Sequence, residues 1–421
     1  MQKLLSKQTQ TFKLTEEQEL LRKTVREVSE ENFKEKAREI DKTHRFPREN
    51  FTLLANLGMC GLTIPEEYGG SNMDYVSYSI LIEEIARVCV TTSVILSVHL
   101  SLCSMPIVKF GSDFLKNKYL KKLALGELLG AYCLSESGSG SDAAAMQTRA
   151  EDKGDHFLLN GTKAWISNGK EADVYIVFAQ TDLVRALRAT PQPKHKGITA
   201  FVVEKSMPGL SFGKLEDKLG IRASSTCQVI LDNVKVGKEN VLGNVGDGFK
   251  IAMMTLDRGR IGIASQALGI AQASYDLASS YAKTREAFGQ KIINFQAIQF
   301  MLVEMATEIE AGRLLIYQAC NMYDAGAHHG MPLPFTRASA EAKLFCSELA
   351  NKAASKAVQI LGGYGYTTEY DAQRYFRDAK ITEIYEGTSE IQRIVIAKNI
   401  IKELTNSRHC EEGRSPDEAI C

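Results

Sequence analysis

The stretch "ITEIYEGTSEIQR" (381–393) sets a glutamate, Glu386, between a tyrosine and a glycine, where one helical pattern stops and another begins. A solvated loop carboxylate needs no explanation. Held against apolar walls, the same group would be a base, and something beside it must then lose a proton. Three other groupings carry residue types that bind or react. "AYCLSESGSGSDAAAM" (131–146) offers hydroxyls and glycine-exposed backbone N–H groups, able to hold phosphates or a polarised ring edge, though a plain Ser/Gly linker reads the same way. "KAWISN" (163–168) holds the one tryptophan, with a hydroxyl two residues on; it could flank a flat cofactor or simply fill a core. Asp257 and Arg260 in "TLDRGRIG" (255–262) stand three apart on a helical pattern and share a face. They form either a surface ion pair or a grip on a polar or phosphate-bearing ligand.

Several chemistries are excluded. No G-x-x-x-x-G-K-[ST] occurs, and neither "GSGSD" (138–142) nor "GGYGY" (362–366) opens a βαβ unit, so P-loop and Rossmann readings fail. The seven histidines show no H-x-x-x-H or H-E-x-x-H spacing, and there is no G-x-S-x-G elbow. Nine scattered cysteines without C-x-x-C read as free thiols in a reducing compartment, with no metal site. Lys plus Arg equals Asp plus Glu at 51 each, which argues against nucleic acid or a membrane surface as partner. No run approaches the roughly 18 apolar residues of a membrane span.

At 421 residues the chain exceeds one core, and the elements that must position these groups fall into zones. Residues 1–13, "MQKLLSKQTQTFK", fit either a presequence remnant or a frayed start. Residues 14–130 are helical in pattern, opening on the capping box "TEEQ" (15–18), with helices expected over 17–41, 48–58, 74–88, 93–110 and 113–124. From 131 to 240 the period is two. "FLLNGTKAWIS" (157–167) is expected to be a hairpin turning at Asn160-Gly161, and the basic segment 182–197 to be a surface loop. From 241 to 404 long helices return as an antiparallel bundle. Residues 405–421 are polar, aperiodic and expected to be disordered. The fold class is α+β multidomain, mainly α.

"YCLSESGSGSD", "NGTKAWISN", "DKLGIRASST", "TLDRGRIGIASQALGIAQ", "QILGGYGYTTEY" and "RDAKITEIYEGTSEIQR", in that order over residues 14–403, resemble the acyl-CoA dehydrogenase family, nearest its short-chain group. The resemblance implies an N-terminal helical domain, a middle β-barrel-like domain and a C-terminal four-helix bundle. It also implies FAD between the last two, partly reaching a neighbouring subunit. Carried onto this sequence, Tyr132, Leu134, Ser135, Gly140 and Ser141 would line the flavin, with Ser141 also meeting substrate phosphate. Trp165, Ile166 and Ser167 would pack on and bond its ring. Arg285 and Gln296 would hold the adenine dinucleotide part, and Gln359, Ile360, Leu361, Gly362 and Gly363 would do so from the adjacent subunit. Thr388, Ser389 and Glu390 would sit by phosphates at a helix N-terminus. Asp257, Arg260 and Gly387 would contact the acyl-CoA. Glu386 would be the base of an α,β-dehydrogenation, its pKa lifted by burial toward ~6–7, with its backbone N–H polarising the thioester.

Some members of the family are implied to carry the base at the position of Gly259 instead, where glycine cannot serve. The resemblance further implies electron-transfer flavoprotein as acceptor, a homotetramer and the mitochondrial matrix. Three alternatives stay open: a 2-methyl-branched short acyl-CoA as substrate, an oxidase passing electrons to oxygen, and a non-catalytic assembly protein of the same fold.

Overall fold

The structure is a computed structural model that describes residues 13–181, 194–326 and 333–412. The expected presequence (to residue 12), most of the 182–197 loop and the tail beyond 412 lie outside the described residues. The chain opens on α1 (Glu16–Asn32), capped as the sequence suggests: Thr15 Oγ1 accepts from the Gln18 N–H at 3.2 Å, and Gln18 Oε1 accepts from the Thr15 N–H at 3.0 Å. The expected run 17–41 is broken at the fully buried Phe33, which separates α1 from α2 (Lys34–Thr43). Then come α3 (Arg48–Asn56) and α4 (Tyr75–Ala86).

Beyond α4 run α5 (Val90–Ser97), a π-helical turn (Val98–Ser104), α6 (Met105–Phe110) and α7 (Asp113–Ala124). In the π turn the Ser101 and Ser104 hydroxyls bond back to the carbonyls of Ser97 and His99, both at 2.8 Å. Against expectation, Val90–Phe110 has the length and mean hydropathy (1.6) of a membrane span. Its window is 83% buried inside the protein, as a helix apolar all round must be.

The middle of the chain gives β1 (Gly130–Cys133), β2 (Arg149–Asp152), β3 (His156–Ile166), β4 (Val174–Thr181), β5 (Ile198–Glu204), β6 (Leu210–Leu215), β7 (Cys227–Gly237) and β8 (Val241–Leu242). They form one sheet in the order β6-β7-β3-β2-β4-β5-β8, and β1 pairs β4 in parallel. The expected hairpin at Asn160-Gly161 is corrected: β3 runs straight through it, paired with β7 from end to end. The register slips there, so the pair marks a bulge rather than a turn. Glycine is required for contact as well as for conformation, because at φ +151 a Cβ would stand 2.7 Å from the Thr148 backbone.

The last zone holds α8 (Gly248–Thr284), α9 (Gln296–Asp324), α10 (Leu333–Leu361), α11 (Gly363–Tyr366), α12 (Ala372–Ala379) and α13 (Ser389–Glu412). The 37-residue α8 is the spine. It packs on α10, α4 and α9, and α10 packs in turn on α12 and α13. Its small residues Ala264, Ala267, Gly269 and Ala271 are buried, which lets these neighbours approach closely. Helix α13 continues to Glu412, into the segment expected to be disordered, with Thr405 Oγ1 bonding back to the Ile401 carbonyl at 3.0 Å.

Candidate active site

Glu386 lies in the short link between a 3-10 turn (Lys380–Glu383) and α13. Glu386 (φ +50) and Gly387 (φ +95) are both left-handed, rare for a glutamate and costly unless the surroundings enforce it. The surroundings do. Lys343 Nζ on α10 donates to the Gly387 carbonyl at 2.7 Å. Gln392 Nε2 donates to the same carbonyl at 2.8 Å and to that of Glu386 at 3.4 Å. Thr388 opens α13 by accepting the Ile391 N–H on its hydroxyl at 3.3 Å. Within this link the Glu386 N–H donates to no acceptor among the described residues.

The clamp aims the carboxylate at α8. A Cβ at Gly259 would stand 2.0 Å from Glu386 Oε2 and 3.1 Å from a Leu102 methyl, so position 259 and the glutamate occupy one spot from opposite sides. Part of the residue is accessible, yet Oε2 is shut from solvent and has no hydrogen-bond partner among the described residues. Desolvation lifts the carboxyl to about 7, with the charges of Lys343 and Arg260 pulling the other way. The Tyr132 and Tyr78 phenols are raised, first by burial and then by this carboxylate's charge, which puts β1 and α4 beside it. Tyr385 bonds to the Gln266 side chain, and Tyr78 Oη meets Ser97 Oγ at 3.0 Å across from Gly262.

Asp257 and Arg260 are paired at 2.6 Å, and Thr336 Oγ1 donates to the other Asp257 oxygen at 2.7 Å. Arg260 is only 5% exposed and its Nε has no partner among the described residues, so the surface-pair alternative is set aside.

A second wall comes from β1 and β3. A register shift between Lys163 and Ile166 frees Ala164 and Trp165 from β7 and puts Trp165 at φ +57. The bulge throws the indole outward, 56% exposed, where a core tryptophan would be covered. Ser135 is tied to this bulge by the Ala164 N–H, which donates to its carbonyl at 2.9 Å. Beneath lies a pair the motif reading passed over: Lys163, fully buried, donates to Glu136 at 2.8 Å and to the Leu134 carbonyl at 3.1 Å. Glu136 in turn accepts the backbone N–H groups of Gln147 and Thr148. This buried pair fixes the serine-rich loop, whose Gly140 and Ser141 stay exposed.

Arg285 and the "QILGG" residues gather elsewhere. Arg285, Ile360, Leu361, Gly362 and Gly363 line one cavity of about 630 Å³ with Tyr281 and Tyr364, while Gln296 and Gln359 are exposed. Arg285 follows the far end of α8, 26 residues beyond Gly259, hence about 39 Å along the axis. Arg285 thus stands with Ile360–Gly363, and this cavity is remote from Glu386 within the chain.

Three family models cover the chain: the acyl-CoA dehydrogenase N-terminal domain over residues 15–127, its middle domain over 131–234 and its C-terminal domain over 246–401. The chain belongs to the acyl-CoA dehydrogenase family. It is 49% identical over 393 residues to the mitochondrial short-chain specific acyl-CoA dehydrogenase of Rattus norvegicus, covering 93% of this chain and 92% of that one. It is 48% identical to the short-chain specific acyl-CoA dehydrogenase of Clostridium acetobutylicum, covering 93% and 100%. The solved butyryl-CoA dehydrogenase of Megasphaera elsdenii superposes with a TM-score of 0.87 at 42% identity, covering 93% and 99%.

FAD is the cofactor of an acyl-CoA dehydrogenase, and the residues present fit it. An exposed indole on a bulge, a serine-rich loop with open space at Gly138 and Gly140, and the unpartnered Tyr132 hydroxyl frame a place for a flat, polar-edged ring. The sequence reading missed Lys343, Gln392, Glu136 and Lys163. Gln392, Glu136 and Lys163 lay inside quoted motifs without being singled out; Lys343 lay outside all of them. Lys343 stands 43 residues before Glu386 with no local pattern to single it out.

Proposed function

We propose that this acyl-CoA dehydrogenase oxidises short acyl-CoA thioesters to trans-2-enoyl-CoA, with Glu386 as the base. The observation carrying this reading is the carboxylate itself: clamped, unpartnered at Oε2 and poised at about 7, where a base works best near neutral pH. Glu386 takes the α proton onto its carboxylate. Its backbone N–H, free of other acceptors among the described residues, donates to the thioester oxygen as negative charge grows there. Asp257 and Arg260 grip the CoA portion at the neighbouring turn of α8. Trp165, Ser135 and Ser167 hold the flavin ring, and Thr388, Ser389 and Glu390 its phosphate side. Bound FAD supplies the acceptor for the hydride that leaves the β carbon.

Arg285 with Gln296 and Gln359–Gly363 serves the flavin of a neighbouring protomer, since about 39 Å of helix separates this cavity from the base. Assembly as a homotetramer, electron-transfer flavoprotein as the acceptor and a mitochondrial matrix location belong to the same proposal; the rat relative's mitochondrial designation supports the last. The test is anaerobic bleaching of the bound flavin by acyl-CoAs of graded length and branching. Rapid bleaching by butyryl-CoA is expected. A preference for 2-methyl-branched or long acyl chains would overturn the short-chain assignment.

A further inference from the structure

We propose that Lys343 is a positioning residue for Glu386: its buried ammonium anchors the Gly387 carbonyl and supplies a positive charge that keeps the neighbouring carboxylate ready to ionise. This rests on the reading of Glu386 as base. The observations are three. Lys343 is 0% exposed, and such a lysine is rarely tolerated without a partner. Its hydrogen-bond partner among the described residues is a backbone oxygen of the link that carries Glu386. Glu386 Oε2 has no donor among the described residues, so the lysine acts through its field and its hold on the backbone and leaves the carboxylate open to a proton. Gln392 shares the Gly387 carbonyl but brings no charge. Hence one geometric anchor is duplicated, while the charge is not.

The charged and titratable groups around the carboxylate are few. Helix α8 presents Arg260, already bound to Asp257, α10 presents Lys343, α4 presents Tyr78, β1 presents Tyr132, and the link itself contributes Tyr385. Burial lowers the Lys343 ammonium to about 8, which leaves it charged at neutral pH, and Glu386, Glu383 and Glu390 pull it back upward. The phenols stay neutral, since burial raises all three. Lys343 and Arg260 are thus the two cations facing Glu386 among the described residues, and Arg260 is partly neutralised by its aspartate.

The experiment uses the flavin-loaded enzyme, labelled with 13C at the glutamate δ carbon, its Glu386 resonance assigned by its loss in Glu386→Gln. In the parent the resonance titrates near 7. In Lys343→Met the midpoint moves up by about one unit or more, and bleaching by butyryl-CoA below the midpoint slows about tenfold while recovering at alkaline pH. Lys343→Arg brings the midpoint back, and Gln392→Leu leaves it near the parent value. Lys343→Gln is the second neutral variant should Lys343→Met not accumulate. An unmoved midpoint in a folded neutral variant, or an equal shift in Gln392→Leu, overturns the proposal. The base assignment is tested separately, by whether Glu386→Gln still turns over.

Discussion

Gly259→Ala puts one methyl group where the structure has the Glu386 carboxylate. The new Cβ would stand 2.0 Å from Oε2, against about 3.4 Å for ordinary contact, so the carboxylate must retreat by about 1.4 Å. Retreat on the other side is limited by the link itself, held at Gly387 by Lys343 and Gln392. A misplacement near 1 Å costs on the order of 10²-fold in rate when reacting atoms must lie in near-attack geometry. The helix gains from the same change, because alanine in place of a mid-helix glycine adds roughly 0.5–1 kcal/mol. The expected variant therefore keeps its flavin, melts at or above the parent temperature and reduces that flavin about a hundredfold more slowly with butyryl-CoA. Stopped-flow bleaching, flavin content and thermal melts read the three quantities independently. Unchanged bleaching in a folded, flavin-loaded Gly259→Ala enzyme would refute the claim that Glu386 reacts from its position against α8.

Glu386→Gln should retain FAD and acyl-CoA binding and lose nearly all turnover. Its stability has a defined pH dependence, since the folded Glu386 value, about 7, lies above the ordinary 4.5. The stability linked to the protonated carboxyl is full below pH 4.5 and lost as pH rises through 7, so the glutamine variant should melt higher than the parent at pH 8 and not at pH 4. His99 runs the other way. The Gly130 N–H donates to its Nδ1 at 3.3 Å, its Nε2 lies 3.0 Å from the Leu123 carbonyl, and burial lowers it from 6.5 to about 4. Its neutral form contributes stability present above pH 6.5 and lost as pH falls toward 4, and acid melts should flatten over that window in His99→Gln. Mixing Glu386→Gln with Arg285→Ala protomers during assembly should restore activity that neither has alone, because one site in each mixed pair recovers both residues. No gain on mixing would mean that Arg285 serves its own chain's flavin.

By itself the sequence determined the zones and the reactive residues. Periodicity of three to four, then two, then three to four again separates helices from sheet because each element buries one face. The capping box at Thr15 marks where the first helix begins, and short contiguous motifs carry Glu386, Trp165 and the Asp257–Arg260 pair. Local pattern failed where the deciding contact was distant. Asn160-Gly161 has turn chemistry, yet pairing with β7 and the backbone of Thr148 decided for a bulge. Val90–Phe110 is not singled out as a span from the sequence, though its length and hydropathy suit one, and only packing reveals what covers it. The tertiary structure alone brought Lys343 to the link that carries Glu386 and put Arg285 into one cavity with Ile360–Gly363. A carboxyl is turned into a base by desolvation and by charges arriving from other elements, and neither can be read from the residues beside it in the chain.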